Sequence, residues 1–315
     1  MNQQIIVTPA IAIENATKIY RLGVRRRSIT AVQNLTLSVA RGETFAFIGL
    51  NGAGKTTTIK MLLDHARPSA GRVELFGVSA RLARSRVKVG YMPDLPHFYR
   101  FLNASELLNY FGMLFELPRR EIDGRRKRLL EMVGLDGRDT EPLRSFSRGM
   151  LQRIGLAQAL INDPDLLILD EPLGGLDPVG RKDFRDIILD LRRQGKTIFF
   201  SSHILEDAEK IADRVGIIHL GRLIAEGPLN ELLTKTEGWE AEIEPLNDYE
   251  LTTEDAAGWS VRNVDGLIYA EFADDAAVNR LQQLAVSNKI RIRSLTPRRM
   301  SLEEAFLAEL ERWQV

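Results

Sequence analysis

The stretch that most constrains this chain is Phe45-Ala46-Phe47-Ile48-Gly49-Leu50-Asn51-Gly52-Ala53-Gly54-Lys55-Thr56-Thr57, a short apolar run that passes directly into G-x-x-x-x-G-K-T. Ile59, Met61, Leu62 and Leu63 follow with helical spacing, so the sequence predicts a strand, a glycine-rich turn and a helix, in that order. Gly49, Gly52 and Gly54 can adopt backbone angles closed to other residues, and the successive N–H groups make a concavity for phosphate oxygens at a helix N-terminus. Asn51, Ala53 and Thr57 complete this phosphate-binding run. Lys55 is placed to reach the β- and γ-phosphates, and the Thr56 hydroxyl a Mg²⁺ ion. The alternative is a glycine-rich turn that binds nothing; the strand, the fixed positions and the helix together speak against it.

Length and composition set the frame around this motif. At 315 residues there is room for one large or two ordinary domains with a full core. Lys+Arg and Asp+Glu both number 43, so the charge balance gives no reason to expect a polyanion binder, and no nucleic-acid partner is expected. The absence of cysteine excludes disulfides, thiolate metal sites and Cys nucleophiles. Residues 1–10 lack the basic and then apolar pattern of a secretion signal, and no apolar segment is long enough to cross a bilayer. Any association with a membrane must come through a partner.

Along the chain, residues 11–15 and 35–39 alternate as half-buried antiparallel strands, with a basic segment at 21–27 between them. Residues 72–76 and 87–91 read as further strands after the P-loop helix. The period then changes: Asn103 with Glu106 resembles a capping box, and Leu107, Leu108, Phe111, Leu114 and Phe115 form an apolar stripe. Helices are expected over 121–133 and around Ile154, Leu156, Ala157 and Leu160, so residues from about 100 to 160 form a helical insert. Strand and helix alternate again at 166–169, 181–194, 197–201, 205–214 and 215–219, which predicts a parallel sheet with crossover helices. A linker is expected at 234–238. Beyond it come strands at 239–243, 259–262 and 267–272, a helix at 275–286, a strand at 290–293 and a last helix opened by Ser301 and Glu304. The expected fold class is α/β: a P-loop NTPase core with an antiparallel β subdomain and a helical insert over 1–236, plus a small C-terminal α+β domain over 237–315.

Asp165-Leu166-Leu167-Ile168-Leu169-Asp170-Glu171-Pro172 is a buried strand ending in two carboxylates. Adjacent acids there need an electrostatic reason, and Mg²⁺ with a polyphosphate supplies one. Asp170 is placed to hold the metal, and Glu171 to polarise a water for in-line attack on the γ-phosphate. The alternative is a strand-to-loop junction with solvated acids.

These motifs together resemble the ATP-binding cassette (ABC) proteins, over roughly residues 11–233. Phe146-Ser147-Arg148-Gly149-Met150 is similar to the family's signature motif in a form common among exporter subunits. The resemblance implies that Ser147 and the Gly149 N–H donate to a γ-phosphate held by another subunit. Leu173-Gly174-Gly175-Leu176-Asp177-Pro178 resembles the D-loop, with Gly174 where serine is more usual, and Ser201-Ser202-His203 the switch loop, whose His203 contacts the γ-phosphate. Tyr20 matches the aromatic that stacks on adenine, or is an ordinary strand-end tyrosine. Asp94 occupies the Q-loop position, where glutamine is common; a carboxylate can ligate Mg²⁺ but adds negative charge beside the phosphate. Phe98, Tyr99 and Phe101 either contact a permease helix or pack the helical insert.

The resemblance implies an ATPase subunit of an exporter-type transporter, using ATP and Mg²⁺. It would act as a homodimer or pseudo-dimer around two ATP molecules and drive a separate integral membrane permease from the cytoplasmic face of the membrane. The rival is an ABC ATPase of translation or DNA maintenance, and an uptake role would differ only in direction. For the C-terminal domain the sequence leaves regulation, dimer stabilisation and packing open.

Overall fold

The computed structural model describes residues 8–22, 27–233, 236–247 and 249–314. Met1–Val7, the middle of the basic segment at 23–26, and the linker residues Thr234 and Lys235 lie outside them.

The amino-terminal part opens with β1 (Ile11–Leu22) and β2 (Arg27–Val39), an antiparallel pair longer than the alternation at 11–15 and 35–39 predicts. Register shifts after Ile13, Ala16 and Lys18 break the two-residue period, and that hides the continuation from pattern reading. Next come β3 (Thr44–Ile48), α1 (Lys55–Leu62), β4 (Ala70–Leu75), β5 (Val78–Ser79) and β6 (Val89–Met92). The helical insert is α2 (Ala104–Leu114), α3 (Arg119–Met132) and α4 (Arg148–Leu160). Then follow β7 (Leu166–Asp170), α5 (Pro178–Arg193), β8 (Thr197–Ser202), α6 (Leu205–Ile211), β9 (Arg214–His219), β10 (Arg222–Pro228) and α7 (Leu229–Leu232).

Two sheets result. One is antiparallel, in the order β2-β1-β4-β5; the other runs β10-β9-β3-β8-β7-β6 and is parallel except for β10, a hairpin partner of β9 that the sequence pattern does not announce. Every residue of β3, β7 and β8 is buried, as parallel strands covered on both faces must be. Ile11, Leu35, Phe47, Ile59 and Phe199 belong to one core cluster that joins the two sheets and α1. The Asn103–Glu106 capping box is present in both directions and starts α2. Leu107 and Leu108 of the apolar stripe are buried, whereas Leu114 and Phe115 stand exposed, so the stripe is only half used for packing.

By its contacts the chain forms two compact units: Asn230–Ala308 is one, and the remainder, including residues from Glu309 onward, the other. The smaller unit contains β11 (Thr236–Pro245), β12 (Trp259–Val264), β13 (Leu267–Phe272), α8 (Asp275–Val286), β14 (Ile290–Arg299) and the start of α9 (Leu302–Gln314). Its antiparallel sheet has the order β12-β13-β11-β14. Ile243, Phe272, Leu281 and Ile290 form its core, and Ser301 and Glu304 make the expected cap. Thr236 to Gly238, expected as linker, are already strand.

Parallel pairing sets β3, β7 and β8 in step, with Ile48 opposite Ser202 and Asp170 opposite Ser201. The loops that leave these strands therefore meet at one edge, the place where open parallel sheets bind ligands.

Candidate active site

The P-loop follows β3 and takes the shape its glycines permit. Gly54 has φ 116°, and a Cβ there would come within 2.7 Å of the Ala31 carbonyl; a Cβ at Gly49 would lie 2.4 Å from that of Ile218. The turn leads straight into α1, so the backbone N–H groups of its first turn point into the concavity. Lys55 is 5% exposed, and its ammonium curls back over the loop. It donates to the carbonyls of Gly49 at 2.6 Å and Leu50 at 3.4 Å, and lies 3.1 Å from Glu171 Oε1.

The carboxylates stand across from it at the end of β7. Asp170 is 3% exposed; its Oδ1 accepts from the Ser201 hydroxyl at 2.6 Å and more loosely from Thr56 Oγ1 at 3.5 Å. Burial raises the Asp170 carboxyl above its ordinary range, the bonds from Ser201 and Thr56 oppose this, and the charges of Glu171 and Asp94 add to the rise. The same buried setting, with Asp170 and Asp94 nearby, pushes the Tyr91 phenol up to about 12. Glu171 sits at φ 49°, a left-handed conformation that costs a non-glycine residue about 1 kcal/mol or more. That backbone turn lets its carboxylate reach two partners at once, Lys55 and His203. His203 Nδ1 is 2.7 Å from Glu171 Oε2, and the His203 N–H donates to the same oxygen at 3.2 Å.

The structure thus gathers Lys55, Thr56, Asp170, Glu171 and His203 into one connected polar group. Ser201 belongs to it as well: it accepts from the Glu171 N–H at 2.9 Å while donating to Asp170, and so fixes the two acids relative to each other. Sequence reading passes over Ser201 as a site residue; the available signal was a polar residue at the end of a buried strand.

Other predicted residues lie outside this group. The Ser147 hydroxyl caps its own helix, accepting from the Met150 N–H at 3.3 Å, and Gly149 is the second residue of α4. Tyr20 is half-buried on β1, and the Lys18 ammonium lies 4.9 Å from its ring centroid. Asp94 keeps a side chain 48% exposed, 4.0 Å from Arg148, while its carbonyl accepts from the buried Gln152 at 2.6 Å. Of the three aromatics, Phe98 packs edge-on against Phe111 at 6.4 Å, whereas Tyr99 and Phe101 are 62% and 74% exposed. A cavity of about 460 Å³ opens beside them, lined in part by Pro96, Phe98, Phe111, Leu114 and Phe115.

A family model described as ABC transporter matches residues 32–174. An uncharacterized ABC transporter ATP-binding protein of Synechocystis sp. is 41% identical over 93% of this chain and 82% of its own length. Nod factor export ATP-binding protein I of Ralstonia nicotianae is 40% identical over 73% of this chain and 71% of its own. A solved structure of an ATP-binding subunit of an ABC transporter superposes with a TM-score of 0.64 at 31% identity, over 71% of this chain and 91% of that one. These likenesses agree with the resemblance read from the motifs and with the P-loop α/β fold, and they lend no support to the rival in translation or DNA maintenance.

Proposed function

This chain belongs to the family of ABC transporter ATP-binding proteins and is an ATPase of that family, and from that premise we propose that it powers export through a separate membrane permease, as one of two cassettes closing around two ATP molecules. One observation carries the reading. Lys55, Thr56, Asp170, Glu171 and His203 form one connected polar group at the P-loop, while the Ser147 hydroxyl is engaged within its own helix. The donors at Ser147 and Gly149 then serve the nucleotide of a second cassette, and each site needs both.

Within one half-site, the P-loop N–H groups and Lys55 bind and orient the phosphates. Lys55 now neutralises Glu171, and phosphate arriving at the ammonium releases that carboxylate to accept a proton from the attacking water. His203, hydrogen-bonded to Glu171, orients the same water. Thr56 and Asp170 supply a hydroxyl and a carboxylate, hard oxygen donors that suit Mg²⁺. Among the described residues no cluster of three or more His, Asp or Glu could hold a metal, so Thr56 and Asp170 would hold the ion together with the nucleotide. The ion, when bound, neutralises charge on the phosphates. Asp94, half exposed beside Arg148, could add a further carboxylate oxygen for the ion. Tyr20, half-buried on β1, stacks on adenine.

Among the described residues no helix is long and apolar enough to cross a membrane, and the proposed location is peripheral, on the cytoplasmic face through the permease. The contact is the apolar surface at Tyr99, Phe101 and the cavity behind Phe98. Export as the direction draws on the similarity to the Nod factor export protein. Purification from detergent-solubilised membranes tests the proposal: the expected co-purifying partner is a multi-span protein, lost with Tyr99→Ala and Phe101→Ala at unchanged thermal stability. Recovery only with ribosomes or DNA would overturn it.

A further inference from the structure

Asp207 lies one helical turn beyond His203, on α6, and is 3% exposed. A buried carboxylate needs strong partners, because desolvation costs several kcal/mol unless its charge is met. Both partners come from α5, the helix that begins directly after the Leu173-to-Asp177 loop. Arg185 Nη1 donates to Asp207 Oδ1 at 2.6 Å, and Arg181 Nη1 lies 3.8 Å from Oδ2. Arg181 has a second engagement, since its Nε donates to the backbone carbonyl of Leu176, inside that loop, at 3.2 Å.

We propose that Asp207 is a positioning residue that, through Arg181, locks the Leu173-to-Asp177 loop to α6, the helix that follows His203, so that loop and switch histidine move as one. The proposal rests on the reading that His203 faces the γ-phosphate and that the loop meets the second cassette. The contacts form a closed ring. The Gly174 N–H donates to the Glu171 carbonyl at 3.0 Å, which ties the start of the loop to the catalytic acid. Leu176, near its end, is held by Arg181, and Arg181 by Asp207. Ser202 accepts from the Ile204 N–H at 2.9 Å and fastens α6 to the end of β8, and His203 returns to Glu171 at 2.7 Å. A load on the loop from a partner therefore reaches both groups that flank the attacking water.

One link in the ring is loose. Asp207 Oδ2 has no hydrogen-bond partner among the described residues, and 3.8 Å from Arg181 is an ionic contact short of a hydrogen bond. Closing this gap to a hydrogen bond would tighten the hold of α6 on the loop. A pair serving only to pack α5 on α6 needs Arg185 alone and has no use for the bond to Leu176.

The test uses the full chain with MgATP and two variants. Asp207→Asn removes the charge at nearly constant shape. Arg181→Lys keeps the charge on a side chain 33% exposed, but one ammonium cannot replace the two-ended guanidinium bridge. Each variant is expected to lower kcat about tenfold with nucleotide affinity held within about twofold, and the double variant to be no slower than the slower single. Wild-type turnover should rise with protein concentration, as a two-cassette site requires. The clamp is overturned if wild type behaves so and Arg181→Lys keeps full kcat, or if the two losses multiply to about a hundredfold. Should Asp207→Asn not fold, Arg181→Lys alone decides. Concentration-independent turnover by a wild type that stays at the mass of one chain with ATP would instead refute the two-cassette reading and the clamp with it.

Discussion

The edge where β3, β7 and β8 end and the sheet of the C-terminal unit are both rich in charged residues, but they treat charge in opposite ways. At the first, Lys55 and Asp170 are almost fully buried and bound into a continuous network with Thr56, Ser201, Glu171 and His203. At the second, Glu244 meets Arg291 and Arg293 on the surface, and Asp275 accepts from the Trp239 indole at an exposed position. Exposed pairs of that kind add little to stability and are screened by salt. Buried charges cost stability and persist where something needs them. The contrast sets the buried, connected charges at the sheet edge of the larger unit apart from the solvated pairs on the described surface of the smaller one.

The largest effect expected from breaking this contrast is at Glu171. Glu171→Gln removes the proton acceptor without changing shape and should lower ATP turnover by about 10²- to 10⁴-fold while ATP still binds; turnover near wild type would remove Glu171 from its role. Lys55→Ala comes next. Losing charge-assisted bonds worth about 2–3 kcal/mol should weaken nucleotide binding about 100-fold in a direct titration. In the smaller unit, Leu281→Ala opens the buried core and should destabilise that unit by about 2–5 kcal/mol in denaturant melts. ATP affinity should stay within about twofold, because no phosphate-facing group is touched; a large loss of affinity would blur the contrast.

The smallest effect concerns pH. The folded chain holds the Asp170 carboxyl above its ordinary range, chiefly by burial. Its protonated form therefore stabilises the nucleotide-free fold below the ordinary carboxylate pKa, and this contribution is lost as pH rises through the raised value. Asp170→Asn is neutral throughout, so its Tm should gain on wild type as pH rises from the ordinary carboxylate pKa through the raised one, although hydrolysis is lost. An unchanged Tm difference across that range would show that the buried charge costs nothing.

Much of this was legible in the sequence because it is local. The strand, glycine turn and lysine helix from Phe45 onward, the caps at Asn103 and Ser301, and the acids closing β7 each depend on residues within a few positions of one another. What was not legible depends on pairing across the fold. Ser201 joins the site because β8 lies beside β7, and Asp207 is buried because α6 packs on α5, so neither fact has a short-range signature. Leu114 and Phe115 show the reverse error: helical spacing marks an apolar face but does not say whether the chain itself covers it. Phe98, Tyr99 and Phe101 split for the same reason, one packed and two exposed.

The central claim, that the P-loop site is half a site, is tested most directly by the mass of Glu171→Gln in solution. By light scattering the account predicts 35.5 kDa without nucleotide and about twice that with ATP, as two copies close on two unhydrolysed nucleotides. A variant that binds ATP and stays at 35.5 kDa would contradict it.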